Sequence, residues 1–276
     1  MTILSTIFMA SNSFIRPLWI FFDLDDTVWD FKNNSMTSLR KLYEISPILK
    51  KYFKTFDELD VEYHIHNSYL WGALSRGEIS GKDLKAERWR RTLQSKTFEV
   101  LTAVCEELDE TYLNILATLP GVPPHTLSVM QRLSKDHLIG ILSNGFPATQ
   151  YKKMRSSGLD KYVTRLVVSE EIGKAKPDRA LFEYAVAETG ARYPHIMVGD
   201  NLEADVLGAI NAGWFAIWFK PDNAMKNDTD KELPSDREIK MIICEKGGNP
   251  DLFLGRVRNL LEAEEIIQKM SHRQFL

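Results

Sequence analysis

Short apolar runs recur along the chain, and each run ends in small or polar residues before a stretch with helical spacing begins. The runs are LWIFFDL at 18–24, LIGILSNG at 138–145, RLVVSEE at 165–171, HIMVGD at 195–200 and FAIWF at 215–219. Continuous apolar strands that alternate with helices are typical of a parallel sheet covered on both faces. The pattern therefore predicts an α/β protein with a Rossmann-like parallel sheet at its core.

Prolines and glycines mark the ends of the helical stretches. Pro147 and Gly158 enclose one stretch, Pro177 and Gly190 enclose the next, and LEADVLGAINAG ends at Gly213. Proline is favoured in the first turn of a helix, and glycine is favoured just after the last turn. We therefore expect a unit of strand, loop and helix that repeats along the sheet.

The connection between the first two runs breaks this rhythm, because it is much longer than the roughly 30 residues of a complete strand–helix–strand unit. Residues 31–120 are rich in helical spacing and poor in strand signals, and PGVPP at 120–124 has the composition of a linker. We expect a helical cap domain at 31–120, inserted into a core domain formed by 1–30 and 121–276.

The segment after Phe219 carries weaker signals. Residues 220–238 are polar and contain two prolines, which predicts a loop. IKMIIC at 239–244 has the composition of a sixth strand at the edge of the sheet. Residues 249–270 have the spacing of an amphipathic helix that closes the chain.

Charge and cysteine content narrow the functional classes. Lys and Arg number 35 against 38 Asp and Glu, and the basic residues are spread along the chain, which disfavours binding to a nucleic acid polymer. Cys105 and Cys244 form neither a CxxC pair nor a disulfide framework, so a reducing compartment and a cytoplasmic location are expected. MTILSTIFMA lacks the basic start of a signal peptide, and no run is long enough for a membrane helix. The oligomeric state stays open.

Polar side chains follow the predicted strands, at the edge where an open parallel sheet binds its ligands. They are Asp23 and Asp25, Ser143 and Asn144, Lys174 and Lys176, and Asp200 and Asp205. Clustered carboxylates repel one another unless a cation or a retained proton offsets their charge. Hard oxygen ligands without Cys or His favour Mg²⁺, which commonly shares its ligand shell with a substrate phosphate. The sequence therefore predicts Mg²⁺ and a small phosphorylated substrate.

Four of these segments make a more specific comparison possible. DLDDT, LSN, KAKPD and GDNLEAD resemble, in order and at strand ends, the four motifs of the haloacid dehalogenase superfamily. The resemblance spans residues 18 to about 219 and implies a hydrolase with that superfamily's α/β core. The helical insertion resembles the cap of its first subclass, which closes over the site.

The resemblance also implies roles for the catalytic residues. Asp23 would attack phosphorus to form an aspartyl-phosphate. Asp25 would protonate the leaving oxygen and then activate the water that releases phosphate. Ser143 and Lys176 would hold the phosphoryl oxygens. Asn144 and Gly145 would offer further donors near the start of the next helix.

The same comparison implies a metal site. Asp200, together with Asp23 and the backbone carbonyl of Asp25, would ligate Mg²⁺. Asp205 would either support the metal ligands or fix Lys176. Thr27 would order its loop or assist phosphate binding. Lys174 is the alternative to Lys176, but the superfamily lysine directly precedes a proline, as Lys176 does, so Lys174 is expected to be a solvated neighbour.

The acid at Asp25 separates reaction classes within the superfamily. Relatives that cleave carbon–halogen bonds lack an acid there, and phosphonate-cleaving relatives usually carry a small residue. A phosphomonoester hydrolase is therefore expected. A sugar-phosphate phosphatase, a phosphomutase and a catalytically silent binding protein remain as alternatives.

The inserted helices suggest a substrate class. LWGALSRGEISGKDLKAERW at 70–89 resembles the cap of house-cleaning 5′-nucleotidases, which act on nucleoside monophosphates. Trp71 or Tyr69 could stack on a base, and Arg88 could reach a base carbonyl or the phosphate. The alternative interpretation places Trp71, Leu74 and Ile79 in the cap core and Ser80 and Asp83 in a capping box. The charged runs at 85–91 and 106–110 are expected to be solvated helix faces.

Overall fold

The fold is known from a computed structural model that describes residues 16–96, 101–190, 192–221 and 233–272. Its core is a six-stranded sheet of β1 (Trp19–Phe22), β2 (Leu138–Ser143), β3 (Arg165–Val168), β4 (His195–Gly199), β5 (Phe215–Phe219) and β6 (Phe253–Val257). The strand order is β3-β2-β1-β4-β5-β6, and all neighbouring strands are parallel. The predicted α/β class with a parallel sheet is confirmed.

The central strand β1 explains why its sequence is apolar without alternation. Ile20 and Phe22 pack in the apolar core on one face of the sheet, and Trp19 and Phe21 pack in the core on the other face. The chain runs from β1 outward to β2 and β3 and then returns to β4 on the opposite side of β1. The strand order therefore reverses at β1, which creates a crevice at the carboxyl ends of β1, β2 and β4.

Six helices lie between β1 and β2 in the described part of the chain, and the first five fall within the predicted insertion. These five are α1 (Phe31–Ile45), α2 (Pro47–Tyr52), α3 (Phe56–Ser75), α4 (Gly81–Gln94) and α5 (Thr102–Ala117). The described residues of this insertion contain no extended strand. The rings of Tyr63, Trp89 and Tyr112 pack together inside it, with centroids 5.1–6.1 Å apart. The helical character of the insertion is as predicted, whereas its division from the core at residues 30 and 121 stays a prediction.

The helices around the sheet follow the predicted punctuation closely. They are α6 (Thr126–Leu133), α7 (Pro147–Ser157), α8 (Ser169–Ile172), α9 (Arg179–Thr189), α10 (Gly208–Asn211), which continues a π-helical segment at Leu202–Leu207, α11 (Asp236–Glu245) and α12 (Leu260–His272). Gly158 ends α7 with φ of 75°, a left-handed conformation that favours glycine. Helix α9 begins two residues after Pro177, because the Asp178 side chain accepts a hydrogen bond from the Ala180 backbone.

The prediction of a strand at 239–244 is wrong, since these residues lie in α11. A capping box between Ser235 and Glu238 starts this helix. Ile239 and Ile243 are buried four residues apart, which places them on one helical face. The apolar content alone did not distinguish this short helix from a strand.

The sixth strand instead lies within the segment predicted to be the closing helix. β6 pairs with β5 at the edge of the sheet, and Phe253 and Val257 are buried while the residues between them alternate in exposure. The helix follows only from Leu260. The predictions for the first residues, 1–15, and for most of the loop at 220–238 fall outside the described residues. Within the described residues, none of the helices combines the length and apolar character needed to cross a membrane.

Candidate active site

The crevice at the strand ends is a cavity of about 450 Å³, and most of the sequence-predicted site residues line it. Asp23 follows β1, and its backbone amide continues the ladder by donating to the Val198 carbonyl at 2.9 Å. From the core, the cavity is lined by Asp23, Asp25, Asp26, Ser143, Asn144, Gly145, Lys176, Asp200, Asn201, Ala204 and Asp205. Residues far apart in the sequence therefore meet at one edge of the sheet.

Lys176 is the buried cation of this cluster. Its Nζ atom donates hydrogen bonds to Asp23 Oδ1 at 2.5 Å, to Asp205 Oδ1 at 2.7 Å and to the Leu142 carbonyl at 2.7 Å. Burial alone would lower the pKa of Lys176, but the carboxylates of Asp205 and Asp23 outweigh it and raise that pKa above its usual value. Lys176 therefore places a positive charge beside the carboxyl group of Asp23.

The backbone of Lys176 is fixed by Asn144. The Asn144 side chain donates to the Lys176 carbonyl at 2.9 Å and accepts from the Lys176 amide at 2.7 Å. Both amide groups of this pair are thus satisfied, and the lysine loop is tied to the end of β2. Lys174, in contrast, is exposed and lies 3.2 Å from Asp178, so it is a solvated neighbour as expected.

Three carboxylates form a candidate metal site. Oxygen atoms of Asp23, Asp200 and Asp205 all lie within 4.8 Å of one another. Burial raises the pKa of Asp200, and repulsion from Asp23 and Asp205 raises it further. Burial likewise raises the pKa of Asp23 against the opposing effect of Lys176. A divalent cation would offset this repulsion, and the oxygen-only donor set fits Mg²⁺.

Asp205 serves two neighbours at once. One carboxylate oxygen accepts from Lys176, and the other accepts from the Asn201 backbone amide at 3.0 Å. Gly199 makes this position possible, because a Cβ atom there would lie 2.2 Å from the Asp205 carboxylate. Of the two roles predicted for Asp205, contact with Lys176 is present in the structure, and its place among the three clustered carboxylates leaves the metal role open.

The side chain of Asp25 points to helix α7 instead of the metal cluster. Its Oδ1 atom accepts from Lys153 Nζ at 2.6 Å, and its Oδ2 atom accepts from Gln150 Nε2 at 2.8 Å. Gln150 Nε2 also lies 2.7 Å from Ser143 Oγ. Neither Gln150 nor Lys153 is among the site residues predicted from the sequence. A signal existed, since both are polar residues on the helix face that must pack against the sheet.

Gly145 and Thr27 occupy tight positions near this network. A Cβ atom at Gly145 would lie 2.1 Å from the Gln150 amide, so a larger residue there would displace Gln150. Thr27 is fully buried, its hydroxyl has no hydrogen-bond partner among the described residues, and it does not line the cavity. The catalytic and ligand roles of these residues stay predictions.

Of the two aromatic cap residues proposed to stack on a base, Trp71 lies at the cavity and Tyr69 does not. Trp71 lines the cavity, and its ring packs against Phe146, with 5.7 Å between ring centroids. Tyr69 is more than half exposed, lies outside the cavity lining and packs against Arg91. The capping box between Ser80 and Asp83 is present at the start of α4.

The assignment of Arg88 to substrate binding is not supported by the structure. Arg88 is buried inside the cap and donates two hydrogen bonds to Asp109, at 2.9 and 2.5 Å, and a longer one to Asn67. The prediction that both charged runs are solvated faces is therefore wrong at Arg88 and Asp109. Their spacing on separate helices gave no sign in the sequence that the two would pair.

Comparisons with known proteins identify the family. Residues 18–213 match the profile of the haloacid dehalogenase-like hydrolases. The pyrimidine 5′-nucleotidase YjjG of Escherichia coli is 34% identical over 235 residues, which cover 82% of this chain and 97% of YjjG. The pyrimidine 5′-nucleotidase PynA of Streptococcus pneumoniae is 28% identical over 221 residues, covering 78% of this chain and 88% of PynA.

A solved structure shows the same architecture. The crystal structure of the HAD-hydrolase YfnB from Bacillus subtilis, bound to magnesium, superposes with a TM-score of 0.72 at 25% sequence identity. The superposition covers 91% of this chain and 99% of YfnB. Because the family profile spans β1 to β4 and the four motifs, and YjjG matches over most of both chains, this protein belongs to the haloacid dehalogenase-like hydrolase family.

Proposed function

We propose that this chain is a Mg²⁺-dependent phosphomonoester hydrolase that acts on nucleoside 5′-monophosphates through an aspartyl-phosphate on Asp23. The observation that carries the proposal is the contact between Lys176 and Asp23 inside a cavity that also contains Ser143 and Asp25. A carboxylate with a fixed cation beside it can receive an anionic phosphoryl group, because the cation offsets the repulsion between the two anions.

The proposed reaction has two displacements at phosphorus. In the first, a carboxylate oxygen of Asp23 attacks, the bond from phosphorus to the ester oxygen breaks, and Asp25 donates a proton to that oxygen. In the second, Asp25 accepts a proton from water, whose oxygen attacks phosphorus. The bond to Asp23 then breaks, and inorganic phosphate and both carboxyl groups are released in their starting forms. Ser143 and Lys176 would hold the phosphoryl oxygens throughout.

Asp23, Asp200 and either Asp205 or the backbone carbonyl of Asp25 would hold Mg²⁺. When bound, the ion supplies positive charge that offsets the carboxylates and the phosphoryl oxygens. The oxygen-only donor set supports this metal, as does the magnesium in the related structure of YfnB.

The cap side of the cavity supports a substrate with an uncharged leaving group. Its lining residues from the insertion are Phe31, Ser68, Trp71, Gly72, Leu74 and Ser75, and none of them is charged. A second phosphate or a carboxylate on the leaving group would therefore find no counter-charge on this wall. A flat base could pack against Trp71 with the hydroxyls of Ser68 and Ser75 nearby. The names of YjjG and PynA point to the same substrate class.

The test is phosphate release from a panel of monophosphates, with Mg²⁺ and with a chelator. We expect turnover of nucleoside 5′-monophosphates that needs Mg²⁺ and is abolished by Asp23→Asn, while Lys174→Met keeps its activity. Faster turnover of ribose 5-phosphate would favour a sugar-phosphate phosphatase, and an isomer in place of free phosphate would reveal a phosphomutase. No turnover of any ester would indicate a binding protein. A cytoplasmic location, and the absence of nucleic acid or membrane partners, stay predictions.

A further inference from the structure

Helix α7 places two polar side chains in a buried position against the loop that carries Asp25. Gln150 and Lys153 are three residues apart and so share a helix face, and they are only 1% and 3% exposed. A buried amide and a buried ammonium group each cost free energy unless their hydrogen bonds are made. Both side chains therefore need hydrogen-bond partners, and both donate to the carboxylate of Asp25.

The two side chains together occupy both carboxylate oxygens of Asp25, at 2.6 Å for Lys153 and 2.8 Å for Gln150. The Lys153 ammonium also lies over the ring of Trp29, 4.4 Å from its centroid, and Trp29 is fully buried. This ring limits the movement of the ammonium from a second side. The Asp25 carboxyl is thus held by groups that are themselves fixed by packing.

Gln150 connects Asp25 to Ser143, the proposed phosphate ligand at the end of β2. Its Nε2 atom donates both to Asp25 and to Ser143 Oγ, whereas its Oε1 atom is buried without a hydrogen-bond partner among the described residues. An unsatisfied buried acceptor is unfavourable. The arrangement keeps the donor side of the amide on Asp25 and Ser143, and so links the proposed acid to the proposed phosphate ligand.

We infer that Gln150 and Lys153 are positioning residues that fix the Asp25 carboxyl for its proton transfers, an inference that rests on the proposed function. Asp25 follows β1, and among the described residues the hydrogen bonds to its side chain come from Gln150 and Lys153. General acid catalysis requires the proton donor within hydrogen-bond reach of the leaving oxygen. A helix that anchors both carboxylate oxygens and the nearby Ser143 hydroxyl supplies this constraint.

The test compares two substrates whose leaving groups differ in their need for a proton from Asp25. A nucleoside leaves as a poor, alkoxide-like group that needs protonation, whereas p-nitrophenolate leaves without it. We compare kcat/KM, which reports the displacement at Asp23, for a nucleoside 5′-monophosphate and for p-nitrophenyl phosphate. Gln150→Leu and Lys153→Met should lower kcat/KM about 10- to 100-fold for the nucleotide and less than about threefold for p-nitrophenyl phosphate.

Matched variants separate positioning from a general effect on the fold. Lys152→Met, on the same helix but exposed, should leave both values unchanged, and Lys153→Arg should restore part of the nucleotide activity. Asp25→Asn should show the same selective loss, and adding Lys153→Met to it should cause little further loss. Melting temperatures identify variants that fail to fold. If Lys153→Met does not fold, the substrate comparison with Gln150→Leu and Lys153→Arg tests the inference.

Equal losses with the two substrates would overturn the inference, as would no loss with either. Additive losses in the double variant would overturn it as well. If the unmodified protein hydrolyses neither ester, the proposed function fails, which is a different outcome from a loss that does not discriminate between substrates.

Discussion

Phe146 packs against Trp71, with 5.7 Å between the centroids of their rings. Phe146 directly follows the loop of Ser143, Asn144 and Gly145, whereas Trp71 lies on α3 of the cap. Leu70 and Leu84 are buried in the same small apolar cluster, and the Lys85 ammonium lies 3.8 Å from the Phe146 ring centroid. One aromatic side chain of the core thus joins the proposed phosphate-binding loop to the wall of the cavity.

Phe146→Ala should therefore weaken both the fold and substrate binding. Removing a buried aromatic ring costs about 3 kcal/mol of the free energy of unfolding, and the cap would lose a contact that orients Trp71. We expect a higher KM for nucleoside monophosphates. Denaturant unfolding and steady-state kinetics check this, with Tyr151→Ala, which removes an exposed ring from the helix that follows Phe146, as the control. An unchanged KM would argue against a role for this contact in forming the cavity.

Lys176→Met should abolish activity, whereas Lys174→Met should not. The first substitution leaves the buried carboxylates of Asp23 and Asp205 without their cation, at a cost of about 3–5 kcal/mol of stability. The second removes an exposed ion pair with Asp178, which is worth less than about 1 kcal/mol. Phosphate release and denaturant unfolding measure the two effects. Equal activity of both variants would show that Lys176 is not needed for the reaction.

Arg88→Met should destabilise the protein without changing its chemistry. It leaves the Asp109 carboxylate buried and unpaired inside the cap, which costs about 3–5 kcal/mol. Arg88 does not line the cavity, so kcat and substrate preference should be retained at temperatures where the variant is folded. Unfolding by denaturant and kcat for several nucleotides provide the measurements.

The double variant Arg88→Met/Asp109→Leu is the control, because it removes both charges and should recover much of the lost stability. A selective loss of activity towards one nucleotide in Arg88→Met would instead return Arg88 to a role in substrate recognition.

His195 should make the stability depend on pH below neutrality. Burial lowers the pKa of His195 from 6.5 to about 4, and its ring packs against Trp214 and contacts Thr189. Between pH 6.5 and about 4, His195 therefore binds a proton in the unfolded chain but not in the folded chain. The contribution of the neutral ring is therefore complete above about pH 6.5 and is lost as the pH falls towards 4, by up to about 3 kcal/mol.

Denaturant unfolding between pH 4 and 7 checks this prediction in the unmodified protein and in His195→Gln. The variant should show a shallower fall in the free energy of unfolding across this range, because glutamine does not titrate. The same slope in both proteins would assign the acid sensitivity to other groups.

The sequence by itself determined the sheet and the edge at which chemistry is expected. Each central strand is buried on both faces, so its residues form a continuous apolar run, and the polar residues that end the runs must lie at one edge of a parallel sheet. For this reason Asp23, Ser143, Lys176 and Asp200 could be placed together before any coordinates were known. Local rules, such as the capping box at Ser80, were also readable.

Only the tertiary structure decided which side chains from different elements meet. The partners of Asp25 come from α7, and the partner of Arg88 comes from α5, because packing of helices determines such contacts and leaves no local pattern. Tertiary packing also decided which segment near the C-terminus is a helix and which is the sixth strand. IKMIIC is apolar enough for either structure, and the sheet edge was filled by Phe253–Val257, whose alternation fits one covered face.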